Sequence, residues 1–125
     1  MNALSRIHRA VERGGVLLDL HPTVPFGTLE AGGVPLGPLD AREFDGLIEA
    51  TEAQLAETVR QGLFAPEEEV TFEVVERFDT ADELLEKVDG WLGVSVPDAL
   101  ASRVRAGEPP FDVRERVVLR RFRVL

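Results

Sequence analysis

The sequence contains no cysteine, no tyrosine, one lysine, one tryptophan and two histidines. Without cysteine there is no disulfide, no thiolate nucleophile and no cysteine metal site. Long apolar runs are also missing: the longest spans a few residues, against the roughly 20 needed to cross a bilayer. Met1 to Arg13 mixes polar and apolar positions with no apolar core and no small-residue cleavage site, so it is not expected to act as a secretory leader. These absences lead to the expectation of a soluble, cytoplasmic protein with no membrane partner.

What is present suits a folded chain. The 125 residues are 44% hydrophobic and 30% charged, too apolar for a disordered polymer and about right for a single domain, 1–125. The net charge of −9 disfavours nucleic acid, because a polyanion is repelled before specific contacts form. That charge is unevenly placed. Between Pro66 and Asp89 ten acidic residues face only Arg77 and Lys87, whereas the segment after Asp112 carries Arg114, Arg116, Arg120, Arg121 and Arg123. The economical reading is that the two segments are neighbouring strands that pair their charges.

Leu4, Ile7, His8 and Val11 are spaced as one stripe of a helix, which Gly14 and Gly15 end. Val16 to Leu20 comes next as a nearly continuous apolar run, the pattern of a strand covered on both faces, and Pro22 closes it. From Thr23 to Asp40 the chain holds three prolines and four glycines; within that insert, Thr28 to Glu30 and Val34 to Leu36 read as a hairpin around Gly32 and Gly33. Asp40 and Glu43 have the spacing of a helix cap, and the helix they open carries Phe44, Leu47, Ile48, Leu55 and Val59 before ending at Gly62. Val70 to Phe78 alternates as a half-buried strand. Thr80 and Glu83 form a capping box for a short helix ending at Gly90, and Pro97 opens another that ends at Gly107. After Pro109 and Pro110, Val113 to Val124 reads as a long strand. The expected class is α/β (α+β): a small three-stranded mixed sheet plus a hairpin, packed by helices.

Two features carry a resemblance. Arg9 to Pro22, RAVERGGVLLDLHP, resembles the stretch of class I S-adenosylmethionine-dependent methyltransferases in which a helix ends in a Gly-Gly turn and leads into the fifth strand, with Arg13 in place of the usual proline. The later elements are similar to the remaining order of that family: an insert, a helix, a sixth strand (Val70 to Phe78), a capped helix and an antiparallel seventh strand (Val113 to Val124). The family's glycine-rich turn after strand one, and its acidic residue ending strand two, have no counterpart here. No S-adenosylmethionine site therefore transfers to any residue, and no cofactor is expected. The resemblance also implies that Val16, Leu17, Leu18 and Leu20 form an apolar edge strand, because the fourth strand that would flank it is missing. Such an edge calls for cover, supplied by a second copy of the chain, by the Thr23 to Asp40 insert or by a partner protein, with the homodimer favoured.

Candidate chemistry is sparse. His21 stands at the carboxyl end of the first strand with Asp19 on the same strand face, an arrangement suited to an oriented general base; the competing reading, favoured here, is a half-exposed histidine before a proline turn. His8 on the helix stripe reads as packed or partner-facing. His21, Asp19 and the Glu67 to Glu69 run could in principle converge on a metal, but no ligand spacing supports one. Ser5, Ser95 and Ser102 stand outside any nucleophile turn. The arginines of the last strand read as the polar face of a half-buried strand, and Trp91 as the apolar contact beside a helix end or the wall of a pocket. Three functions are compatible with these residues: a non-catalytic methyltransferase-like module that dimerises or binds a partner; a small-ligand-binding protein or enzyme with a pocket where His21, the insert and Trp91 converge; or one subunit of a split methyltransferase.

Overall fold

The computed structural model describes residues 3–125; Met1 and Asn2, the first two positions of the segment read as not being a leader, lie outside the described residues. Helix α1 (Ala3–Ala10) leads through Gly14 into strand β1 (Val16–Pro22), then β2 (Thr28–Ala31), β3 (Val34–Pro38), α2 (Arg42–Arg60), β4 (Phe64–Phe78), α3 (Ala81–Asp89), α4 (Asp98–Ala106) and β5 (Phe111–Val124). The sequence-read elements are all present, and the hairpin joins the sheet, giving five strands. No described helix is long and apolar enough to cross a membrane.

Strand β5 organises the sheet. Its β-branched and aromatic residues suit a pleated central position, and both of its edges are occupied. β4 pairs along one edge from Phe64 opposite Val124 to Phe78 opposite Phe111. The other edge is shared end to end, with β1 opposite Val117 to Arg123 and β2 opposite Phe111 to Arg114. β3 then closes the β2 hairpin through Gly32 and Gly33, both at positive φ, as a tight two-residue turn requires. Every ladder is antiparallel: β1 and β4 run in the same direction but do not touch, because β5 lies between them.

Successive side chains of a strand point to opposite faces, so Phe111 and Val113 face one way and Phe122 and Val124 the other. Each pair founds a core. The first packs with Leu84 and Val88 of α3, Leu100 and Val104 of α4, and Leu29 and Ala31 of β2. The second packs with Leu55 of α2 and Phe64, joined by Leu4, Ile7 and Val11 from the α1 segment. His8 rests edge-on against Phe64, with ring centroids 5.6 Å apart. The helices thus cover opposite faces at opposite ends of β5, and two quarters of the sheet carry no helix.

One uncovered quarter is closed by charge. Arg77 of β4 grips Asp112 with two hydrogen bonds of 2.9 and 3.0 Å, and Arg114 bridges Glu30 and Glu73. Together with the Arg120–Glu69 pair and the contacts of Glu67 with Arg121 and Arg123, this is the cross-strand pairing expected between the acidic and arginine-rich segments. The other quarter remains open and mixes apolar side chains with Arg121 and Arg123, which stand opposite Leu18 and Val16 on the same face. Val16, Leu18 and Leu20 of β1 lie there across β5 from Val70 and Phe72 of β4, with Leu18 and Leu20 more than 60% exposed.

Three local expectations change. β1 is covered on one face only, since Val16, Leu18 and Leu20 are exposed while Leu17, Asp19 and His21 turn toward α2. β4 is exposed on both faces over most of its length and begins six residues early, at Phe64; a bulge at Glu67 carries the strand through the glutamate run. The N-cap of α2 is Ala41 rather than Asp40. Asp40 is drawn off by the Arg42 guanidinium, at 3.0 and 3.1 Å, and by a backbone bridge to Ser95. Thr80 does cap α3, with the Glu83 amide donating to Thr80 Oγ1 at 3.2 Å.

Candidate functional site

Asp19 and His21 alternate with the exposed leucines of β1 and so project toward α2. There the His21 ring is flanked on both sides by carboxylates. Its Nε2 is 2.5 Å from Glu52 Oε1, one bond of a hydrogen-bonded pair. Its Nδ1 is 2.7 Å from Asp19 Oδ2, close enough for an ion pair but not aligned as a hydrogen bond. The other Glu52 oxygen accepts from Arg120 Nη1 at 2.6 Å, and Arg120 Nε donates to Glu69 Oε1 at 2.6 Å. A continuous polar chain therefore runs from β1 through α2 and β5 to β4.

The electrostatics of this chain are those of a tie. Burial by itself would raise the Glu52 carboxyl, but hydrogen bonds from Arg120 and His21 outweigh it and hold the group below the ordinary glutamate range. For Arg120, burial opposes the charge, and the bonds to Glu52 and Glu69 more than restore it. The Asp19–His21 pair anticipated for a general base is present, yet the ring nitrogen that would take a substrate proton is already held by Glu52, and the His21 side chain is 11% exposed. Glu52 was not foreseen. The available signal was its place on α2, one turn beyond Ile48 and three residues before Leu55, on the helix face that meets the sheet.

Hollows of about 370 and 430 Å³ flank the Arg120–Glu52 pair, between α2 and β4, and His21 lines neither. Trp91 lies elsewhere. It packs into the core around Val113 on the opposite face of the sheet and meets the insert there at Phe26, so of the three elements expected to form one pocket His21 is the one left out. Glu67 to Glu69 do not gather with His21 either: Glu69 reaches the chain only through Arg120, and Glu67 turns to Arg121 and Arg123. Among the described residues no group of three or more His, Cys, Asp or Glu side chains is arranged to hold a metal ion.

The second locus is the outer edge of β1. Among the described residues β1 pairs with β5 alone, which leaves its other edge open along Val16, Leu17, Leu18 and Leu20. The insert, one of the three candidate covers, pairs instead with the amino-terminal part of β5. The other free edges are defended. β4 presents Glu67, Glu68, Glu69, Glu73 and Glu76, and β3 carries Pro35 and Pro38. On β1 the one charged residue, Asp19, is turned to the α2 face.

Comparisons of the chain with protein-family models, with curated proteins and with solved structures find no match.

Proposed function

We propose that the chain is a non-catalytic pairing module, resembling the closing half of a class I methyltransferase fold, that joins a second copy of itself through β1. The observation that carries this reading is the open β1 edge, contiguous with the exposed Val16, Leu18 and Leu20. The methyltransferase likeness is supported by the order β1–β5–β4, with β5 antiparallel to its neighbours, since the resemblance has an antiparallel seventh strand beside the fifth.

A second copy is favoured over other cover because β1 is self-complementary. In an antiparallel pair of β1 strands centred on Leu18, Val16 of each copy faces Leu20 of the other and Leu18 faces Leu18, so the outward side chains that the two β1 strands bring together are all apolar. Centring on Asp19 instead would oppose two carboxylates, which is unfavourable. A β4 pairing would bring together two strands that each carry five glutamates. Asp19 and His21 then serve the interface by holding β1 against α2.

The register is testable because the chain has no cysteine. Opposed residues in an antiparallel pair have Cα atoms about 4.5–5.5 Å apart, within the span a disulfide accepts. Under mild oxidation Leu18→Cys should therefore form a covalent dimer, whereas Glu86→Cys, exposed on α3 away from the edge, should not. Equal cross-linking of the two variants, or none by Leu18→Cys, would remove the β1 pairing.

A further inference from the structure

A separate cavity of about 430 Å³ opens on the α3 face of the sheet, within the size range of small-molecule sites. Its wall is aromatic: Phe26 stands edge-on to Phe44 at 5.0 Å and to Trp91 at 5.9 Å, and Val113 adds apolar surface. Two carboxylates, Glu76 and Glu115, share this lining. Glu76 is opposite Val113 and Glu115 opposite Val74, which makes the two acids diagonal neighbours on one face.

Like Glu68 they hold no arginine, but of the unpaired acids on these two strands they alone line this cavity. Glu67, Glu69, Glu73 and Asp112 on the same two strands each hold an arginine, but among the described residues no side-chain cation pairs with Glu76 or Glu115. Burial, and then the charge of Glu76, push the Glu115 carboxyl above its ordinary range. Like charges so placed across a ladder are unfavourable, and a cation between them would relieve the cost. Aromatic faces attract a cation as well, so the wall and the acids select the same chemistry.

We infer that this cavity binds a small organic cation with an apolar body, an aryl- or alkylammonium, its charge between Glu76 and Glu115 and its body against Phe26, Phe44 and Trp91. The inference is independent of the pairing through β1. An anion is excluded by the two acids, and a neutral apolar molecule leaves them uncompensated.

Trp91 is the one tryptophan, so its fluorescence reports the cavity directly. Titration of the full chain with 2-phenylethylammonium should give a saturable change, whereas 2-phenylethanol and 3-phenylpropionate, of the same shape but neutral or anionic, should bind at least about tenfold more weakly. The double variant Glu76→Gln/Glu115→Gln, checked for folding by circular dichroism, should lose the ammonium's advantage over the alcohol. No saturable response to the ammonium, equal responses to ammonium and alcohol, or an undiminished preference in the double variant would each overturn the assignment. The mass of the protein, measured in the same samples, tests β1 pairing and is not expected to change.

Discussion

Replacing Glu52 with alanine cuts the polar chain at its centre, because among the described residues Glu52 is the group that joins His21 of β1 to Arg120 of β5. Two charge-assisted hydrogen bonds are lost, each contributing about 1.5–3 kcal/mol when sheltered. The Glu52 side chain is 38% exposed, so solvent screening reduces the sum to roughly half. Alanine returns a few tenths of a kcal/mol through its better helix propensity. The expected loss is thus about 2 kcal/mol at neutral pH, measurable by urea denaturation followed through circular dichroism. The difference should depend on pH with a definite sign. Because the folded-state pKa of Glu52 is depressed, its contribution is fully present above the unfolded value and is lost as pH falls through the folded one. Wild type and variant should therefore converge in acid, below the ordinary glutamate range, as pH falls through the depressed folded-state pKa. A variant within about 0.5 kcal/mol of wild type at pH 7, the range of an ordinary surface change, would show that the chain is not a structural tie and reopen His21 as a group held for chemistry.

Two further changes test other parts of the fold. Leu84 of α3 is fully buried in the first core, and Leu84→Ala should cost about 3 kcal/mol in the same denaturation assay. Glu115→Gln should act in the opposite sense. The pKa of Glu115 is raised by burial and by Glu76, so the stability linked to its protonated form is present below the ordinary glutamate range and lost as pH rises through the folded-state pKa. The variant should be the more stable protein at pH 7, and the gain should vanish in acid; a loss of stability at pH 7 would contradict the reading of Glu115 as an uncompensated acid.

The elements were legible where local chemistry decided them. The Thr80 cap of α3, the Gly32–Gly33 turn and the apolar stripe of α2 each depend on residues within a few positions of one another, and each forms. The opposed acidic and basic segments made the β4–β5 pairing readable across more than thirty residues, because charge complementarity is a property of composition that survives ignorance of the path. What could not be read was which face of a strand is covered. Leu17, Leu18 and Leu20 are alike in sequence, and only the placing of α2 on one side divides them into one half-buried residue packed against the core and two exposed ones. Asp19 and His21 showed that they share a face; nothing local to them announced Glu52, which arrives from α2 thirty-one residues later. The cavity beside Trp91 was legible only in part: Trp91 and the insert read as pocket wall, but Glu76 and Glu115 come from distant strands that nothing local ties to them.

Sedimentation equilibrium of the wild-type chain beside Leu18→Arg tests the central claim most directly. Leu18 is 64% exposed in the single chain, so the arginine should leave the fold intact, but in the paired strands it would set two like charges against each other at the two-fold axis. The account predicts a wild-type mass of twice 13.8 kDa and a variant that sediments as one chain. A wild-type protein that stays at 13.8 kDa at every concentration tested, or a variant that dimerises as well as its parent, would contradict it.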